Sequence, residues 1–214
     1  MKKNKTNVSQ ARTAYGMIAP SMLIIVGLGF FPVLFTLWFS LNDVNPGSLA
    51  TDFIGLKNYT EILTTDAFWN SLKITLYFSL MSVVVQIVLG TLASMLLNQN
   101  FKGRGFVRGI MLIPWAVPTI VNANLWKWIF NANAGILNKV LLKLHLINEN
   151  VVWLGNGKLA INMIILSDTW KMLPLVIIML LAGLQTVSND VKEASIIDGA
   201  NAWQRFKTVY FPAL

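Results

Sequence analysis

The sequence predicts an all-α protein: a polytopic bundle of membrane-spanning helices that ends in a polar helix-turn-helix elbow. Three observations lead there. Hydrophobic residues make up 55% of the 214 and charged residues only 12%, and the mean hydropathy is +0.60; one soluble core could not bury that much apolar surface. Four stretches approach or exceed the ~20 mainly apolar residues that a spanning helix needs. Behind the last of them comes an amphipathic, charged segment.

The stretches run over about 17–41, 72–97, 109–130 and 159–183. In lipid every backbone polar group must be satisfied within the segment, so each is read as a helix; spanning barrels show an alternating polarity that is absent here. The first stretch is longer than the apolar region of a secretory signal, and Trp38-Phe39-Ser40-Leu41 is too bulky for a cleavage site. It is a retained span. Pro114 and Pro118 break or kink the third stretch. Between the third and fourth, Ile136 to Ile147 has the spacing of a short surface helix. The whole chain, 1–214, reads as one domain.

Basic residues set the orientation. Lys2, Lys3, Lys5 and Arg12 precede the first span, and Lys102, Arg104 and Arg108 follow the second, with no acid in either segment. The loop from Asn42 to Ser71 instead holds Asp43, Asp52, Glu61 and Asp66 against Lys57. Cytoplasmic loops collect Lys and Arg, so the amino terminus, the Asn98 loop and everything after Gln185 are expected inside. Lys139, Lys143 and Lys158, against Glu149 in the second outer loop, run against the rule. The net charge of +8 is that of a membrane protein oriented by its basic loops and calls for no nucleic-acid partner. The sequence has no cysteine, which excludes disulfides and thiolate metal sites.

In the elbow, about 186–212, Val191, Ala194, Ile197 and Ala200 recur at helical spacing. Gly199 closes this helix, because glycine takes the left-handed conformation freely, and a second helix leaves from about Trp203 to Phe211. Within the fourth stretch, Asp168 and Lys171 lie one turn apart around Trp170. Two readings stand: the ions neutralise each other at i,i+3 while Trp170 packs, or Asp168, Trp170 and Lys171 line a water-filled path for a solute. Asn122, Asn124 and Gln86 are open to the same alternatives, and Trp126 and Trp128 read as interfacial anchors.

The segment Glu193-Ala194-Ser195, then Gly199, Val209 and Phe211-Pro212, resembles the signature of the membrane-spanning permease subunits of binding-protein-dependent ABC importers. That signature is Glu-Ala-Ala, three residues, Gly, nine residues, Ile, one residue, Leu-Pro. The carbohydrate branch, of the maltose, glycerol-phosphate and multiple-sugar type, is resembled further through Trp170, Pro174, Ala182-Gly183-Leu184-Gln185, Asp198-Gly199-Ala200, Trp203 and Phe206, and upstream through Leu112-Ile113-Pro114-Trp115-Ala116-Val117-Pro118 and Trp126, Trp128, Gly135 and Asn138. The resemblance covers most of the chain after about Leu72. It implies a prokaryotic plasma-membrane permease whose elbow docks on a separate ATP-binding subunit through Glu193, Ala194, Asp198 and Gly199. A second permease subunit and an extracytoplasmic solute-binding protein complete the expected assembly, and a sugar is the expected solute. Family members continue for two further spans, whereas this sequence stops at Leu214; the expectation is a bundle truncated at its carboxyl end.

Enzymatic signals are missing. There is no Gly-Lys-Ser/Thr phosphate loop, no metal-ligand cluster, and no nucleophile beside a base; His145 is the lone histidine. No cofactor or metal is expected, and ATP hydrolysis falls to a partner. The alternatives are a non-transporting membrane scaffold, a permease for another solute class, and a membrane enzyme with its site in the Asn131 to Lys158 loop.

Overall fold

The computed structural model describes residues 5–44 and 51–214, so Lys2 and Lys3 of the basic leader lie outside the described residues. The chain divides into two compact units, Met1–Leu72 and Lys73–Leu214.

In the first unit, α1 (Lys5–Ile24) passes through a π-helical turn, Ile25–Phe30, into α2 (Phe31–Ser40). The π turn has a local cause. Pro32 has no N–H to give the carbonyl four residues back, and the ladder widens just before it, with Phe31 N–H reaching Val26 O. Residues 11–40 form a continuous apolar rod with none of its most apolar window buried. Beyond it lies a feature that the all-α expectation omitted: β1 (Asn42–Val44) pairs antiparallel with β2 (Thr51–Phe53), Asp43 facing Asp52. Asn58, on α3 (Lys57–Thr64), donates to the carbonyls of Ser40 and Asn42, both at 3.0 Å.

The boundary falls within α4 (Asp66–Leu97). The second unit continues with α5 (Arg104–Met111), α6 (Ile113–Ala116), α7 (Thr119–Ile129), α8 (Ile136–Lys143), α9 (Gly157–Gln185), α10 (Asn189–Ile197) and α11 (Ala202–Arg205). Its core is the seam between α4 and α9: Leu97, Ile177 and Leu181 are buried together, with Ala93, Met111 and Leu173 against them. Gly90 permits the close approach, since a Cβ there would stand 2.8 Å from Val176 Cγ1.

The third apolar stretch is broken, not straight. Residues 104–116 and 119–129 meet at 92°, because Val117 is extended ahead of Pro118, the conformation that a following proline imposes. Such a pair is either one bent span or a re-entrant loop, and the neighbouring helices decide which. Tyr77 bonds Asn162, Gln86 bonds Asp168, and Gly90 faces Val176 and Leu180; ascending order on α4 meets ascending order on α9. The two helices run in the same direction, so the chain must cross back between them. The bent segment makes that return.

The loop after α7 is tied down by a buried side chain. Asn138 is 1% exposed. Its amide donates to Ala132 O and Val151 O, and its carbonyl oxygen accepts from Val151 N and Trp153 Nε1 at 3.3 and 2.8 Å. Gly135 must be glycine, for a Cβ would lie 2.2 Å from Asn131 O. The helix predicted to reach Ile147 stops at Lys143, where the chain turns and His145 takes φ +55°.

Candidate functional site

Two places gather functional groups: a polar cluster at mid-height between α4, α7 and α9, and the elbow. The rise of ~1.5 Å per residue puts Asp168 and Lys171 about 16 and 21 Å along α9, at its middle. Unpaired ions at such a depth cost ~2.5–3.5 kcal/mol each on insertion scales.

Of the two readings, the mutual Asp168–Lys171 pair is not formed. Among the described residues the one ion pair is the surface contact Lys57–Glu61. Asp168 Oδ2 instead accepts from Gln86 Nε2 of α4 at 3.0 Å, and Lys171 Nζ donates to Thr119 Oγ1 of α7. The reason is geometric: both neighbouring helices present a neutral polar partner, so each charge is solvated across the bundle and stays available. Thr119 lies just past the Val117–Pro118 break, which is what brings the start of α7 to Lys171. Nothing in the periodicity marked Thr119 as a partner.

Around these charges the cluster is aromatic and incompletely satisfied. Trp170 meets Trp126 edge-to-face at 5.9 Å and keeps 36% of its surface exposed. Trp126 is therefore not an interfacial anchor: it is packed into the bundle, also against Phe130 at 5.1 Å, with its buried Nε1 unpartnered. Trp128 is 72% exposed. Asn122 is buried and donates to Ser167 Oγ at 3.4 Å, leaving its Oδ1 without a partner, as are Thr169 Oγ1 and Ser82 Oγ. Asn124, predicted alongside Asn122, turns back onto Ile120 O of its own helix. Pro174, inside α9, has no N–H to offer the carbonyl of Trp170. This cluster holds an acceptor, a cation, a ring face and several spare polar atoms within two helical turns.

The elbow begins where Ser188 caps α10 through Val191 N. It closes with Gly199 N–H to Ile196 O at 3.0 Å and Ala200 N–H to Ser195 O at 3.1 Å, the doubled bonds of a Schellman ending. Gly199 takes φ +74°, the left-handed conformation that its place in the sequence predicted. Asn201 then starts α11 with a reciprocal capping box to Gln204, at 2.8 and 2.9 Å. The predicted second helix is mostly irregular: α11 is one turn, followed by a π turn over Phe206–Tyr210 and a 3₁₀ turn over Phe211–Ala213. Glu193, Ala194, Asp198 and Gly199 are all exposed. Beside them Ile197 is 85% exposed, a costly position for an isoleucine unless something covers it.

Residues 86–214 match the family described as "Binding-protein-dependent transport system inner membrane component". The chain belongs to this family. It is thus an inner-membrane component of a transport system, a permease subunit and not a catalytic one, as the sequence signature implied. Over 211 residues it is 38% identical to the trehalose/maltose transport system permease protein MalF of Thermococcus litoralis, covering 99% of this chain and 71% of that one. It is 33% identical to the inner membrane ABC transporter permease protein YcjO of Escherichia coli, covering 92% and 68%. With the trehalose transport system permease protein SugA of Mycobacterium tuberculosis it shares 30%, covering 98% and 66%. A chain in the crystal structure of a bacterial ABC transporter that imports alginate superposes with a TM-score of 0.79 at 20% identity, over 99% of this chain and 71% of that one. The all-helical permease fold is common to both.

Proposed function

We propose that this permease subunit lines the path of a sugar or sugar-like solute, and that Asp168, Trp170 and Lys171 touch it. The observation that carries this reading is the unpaired state of the two ions. A carboxylate and an ammonium one turn apart, each held by a neutral partner from another helix, can accept from and donate to hydroxyls, while the exposed face of Trp170 offers a platform for an apolar sugar face. Relatives named for trehalose and maltose transport support the solute class.

On the same reading the elbow lies in the cytoplasm and seats on an ATP-binding subunit, with Glu193 and Asp198 as polar contacts, Ala194 as the point of close approach and Gly199 fixing the angle. ATP is hydrolysed there, not in this chain. A second permease subunit faces the cluster, and an extracytoplasmic solute-binding protein delivers the solute; a similar alginate importer has been crystallised with its solute-bound periplasmic protein.

The test is uptake by the assembled transporter. Asp168→Asn keeps an oxygen for Gln86 and so preserves the fold, and Trp170→Leu keeps apolar bulk. Both are expected to weaken the apparent affinity for solute or slow its passage, Asp168→Asn by about tenfold or more, a typical magnitude for the loss of one charged hydrogen bond, with expression and ATPase co-purification unchanged. Parental uptake in both would assign the cluster to structure alone.

A further inference from the structure

The transport reading leaves the short helix α3 without a role. At ~100° per residue its cap residue Leu56 and Tyr59, Ile62 and Leu63 fall within about 120° of one another, and all four are between 40 and 65% exposed. Lys57, Thr60, Glu61 and Thr64 occupy the opposite side. There Lys57 pairs with Glu61, and the two threonine hydroxyls donate to carbonyls of their own helix. No residue of α3 is buried. It is an amphipathic helix with neither face covered among the described residues.

The height of α3 is fixed by what it is tied to. The apolar rod of residues 11–40 ends at Ser40, and Ser40 holds α3 twice: its hydroxyl meets Tyr59 Oη at 2.6 Å, and its carbonyl accepts from Asn58 at 3.0 Å. At the other end Thr65 is extended, which lets α3 leave the line of α4. Trp69, in the first turn of α4, donates its Nε1 to Leu63 O at 2.8 Å. Hence α3 lies where one span ends and the next begins, at the membrane surface. Trp38 meets Phe53 with ring centres 6.4 Å apart, which carries the exposed apolar surface of the first span into the hairpin beside α3. Trp38, Tyr59 and Trp69 are the amphipathic rings that collect at headgroup level. The charges nearby are Asp43, Asp52 and Glu61 against Lys57, so headgroup charge does not draw α3 down and the apolar face must. We propose that α3 is an interfacial helix whose partner is lipid: the face of Leu56, Tyr59, Ile62 and Leu63 sinks into the boundary between headgroups and acyl chains, and the Lys57–Glu61 face meets water. Anchored in this way, α3 sets the depth at which α4 enters the bilayer.

The test is a scan of single cysteines over residues 56–64 of the full chain, which has no cysteine of its own. Each carries a nitroxide label in phosphatidylcholine vesicles. Collision of the label with oxygen, which concentrates among acyl chains, is compared with its collision with a water-soluble nickel chelate. Labels at Leu56, Ile62 and Leu63 are expected about 5–10 Å into the headgroup and acyl boundary, with high oxygen and low nickel contact. Labels at Lys57, Thr60, Glu61 and Thr64 should show the reverse, so that the ratio oscillates once per ~3.6 residues. Tyr59→Cys also removes the bond to Ser40; should it disturb the helix, Ile62→Cys and Leu63→Cys carry the result. High nickel contact at every position would make α3 a helix in water. Low contact with both reagents at Ile62 and Leu63 would mean that protein covers the face. Either result overturns the proposal.

Discussion

Gly90 gives the sharpest quantitative test of the α4–α9 seam. A Cβ added there would lie 2.8 Å from Val176 Cγ1 and 3.3 Å from Leu180 Cδ1, against an optimal carbon separation of ~3.5–4.0 Å. Leu180 can swing its terminal methyl away. Val176 cannot, because a β-branched side chain inside a helix has essentially one χ1 rotamer. Overpacking of this kind costs ~1–3 kcal/mol, and the better helix propensity of alanine returns up to about 1 kcal/mol. Gly90→Ala is therefore expected to destabilise the fold by about 1 kcal/mol, and Gly90→Leu by about 3 kcal/mol or more. The seam also carries the functional cluster: Gln86 lies one turn above Gly90 and bonds Asp168 at 3.0 Å, so the larger variant should also depress uptake. The assay is SDS-driven unfolding of the purified protein, run as a double-mutant cycle with Val176→Ala. If the contact is as close as described, Val176→Ala removes the obstructing methyls and restores most of what Gly90→Ala lost, a coupling of ~1–2 kcal/mol. A Gly90→Ala variant at least as stable as the parent, with Val176→Ala acting additively, would refute the reasoning.

Replacing Gly199, at φ +74°, by valine should cost about 1–2 kcal/mol or more locally and uncouple solute-stimulated ATP hydrolysis while the chain still inserts; Gly199→Asn, which tolerates that conformation, should stay coupled. Glu193→Lys should reduce co-purification of the ATP-binding subunit without changing membrane insertion. Because the sequence has no cysteine, single cysteines at Asp52, Arg104 and Asn189 report topology directly, and an impermeant maleimide added outside should label only the first. Asn138→Ala would leave the half-buried Val151 and Trp153 N–H groups unpaired, at a cost of about 1–3 kcal/mol, and should expose residues 144–156 to protease while Asp168 and the elbow are untouched.

What the sequence determined by itself is what depends on neighbours along the chain. Apolar length places the spans at 17–41, 72–97 and 159–183 close to the helical rods observed, because in lipid a long apolar segment has only the helix available. The turn at Gly199 was legible for the same reason: a left-handed ending is a local conformational demand that glycine meets, and the Schellman bonds confirm it. Tertiary structure decided the rest, because it depends on which helices stand side by side. The i,i+3 spacing of Asp168 and Lys171 argued for a mutual pair, but Gln86 and Thr119, 82 and 52 residues away in sequence, take the two charges instead. The edge position of Trp126 suggested an anchor, yet the bend at Val117–Pro118 turns α7 inward and packs that ring on Trp170. The prolines foretold a break in the third stretch, but only the parallel run of α4 and α9 showed that the broken segment carries the chain back between them, since direction of travel is a relation between helices that no single stretch of sequence contains.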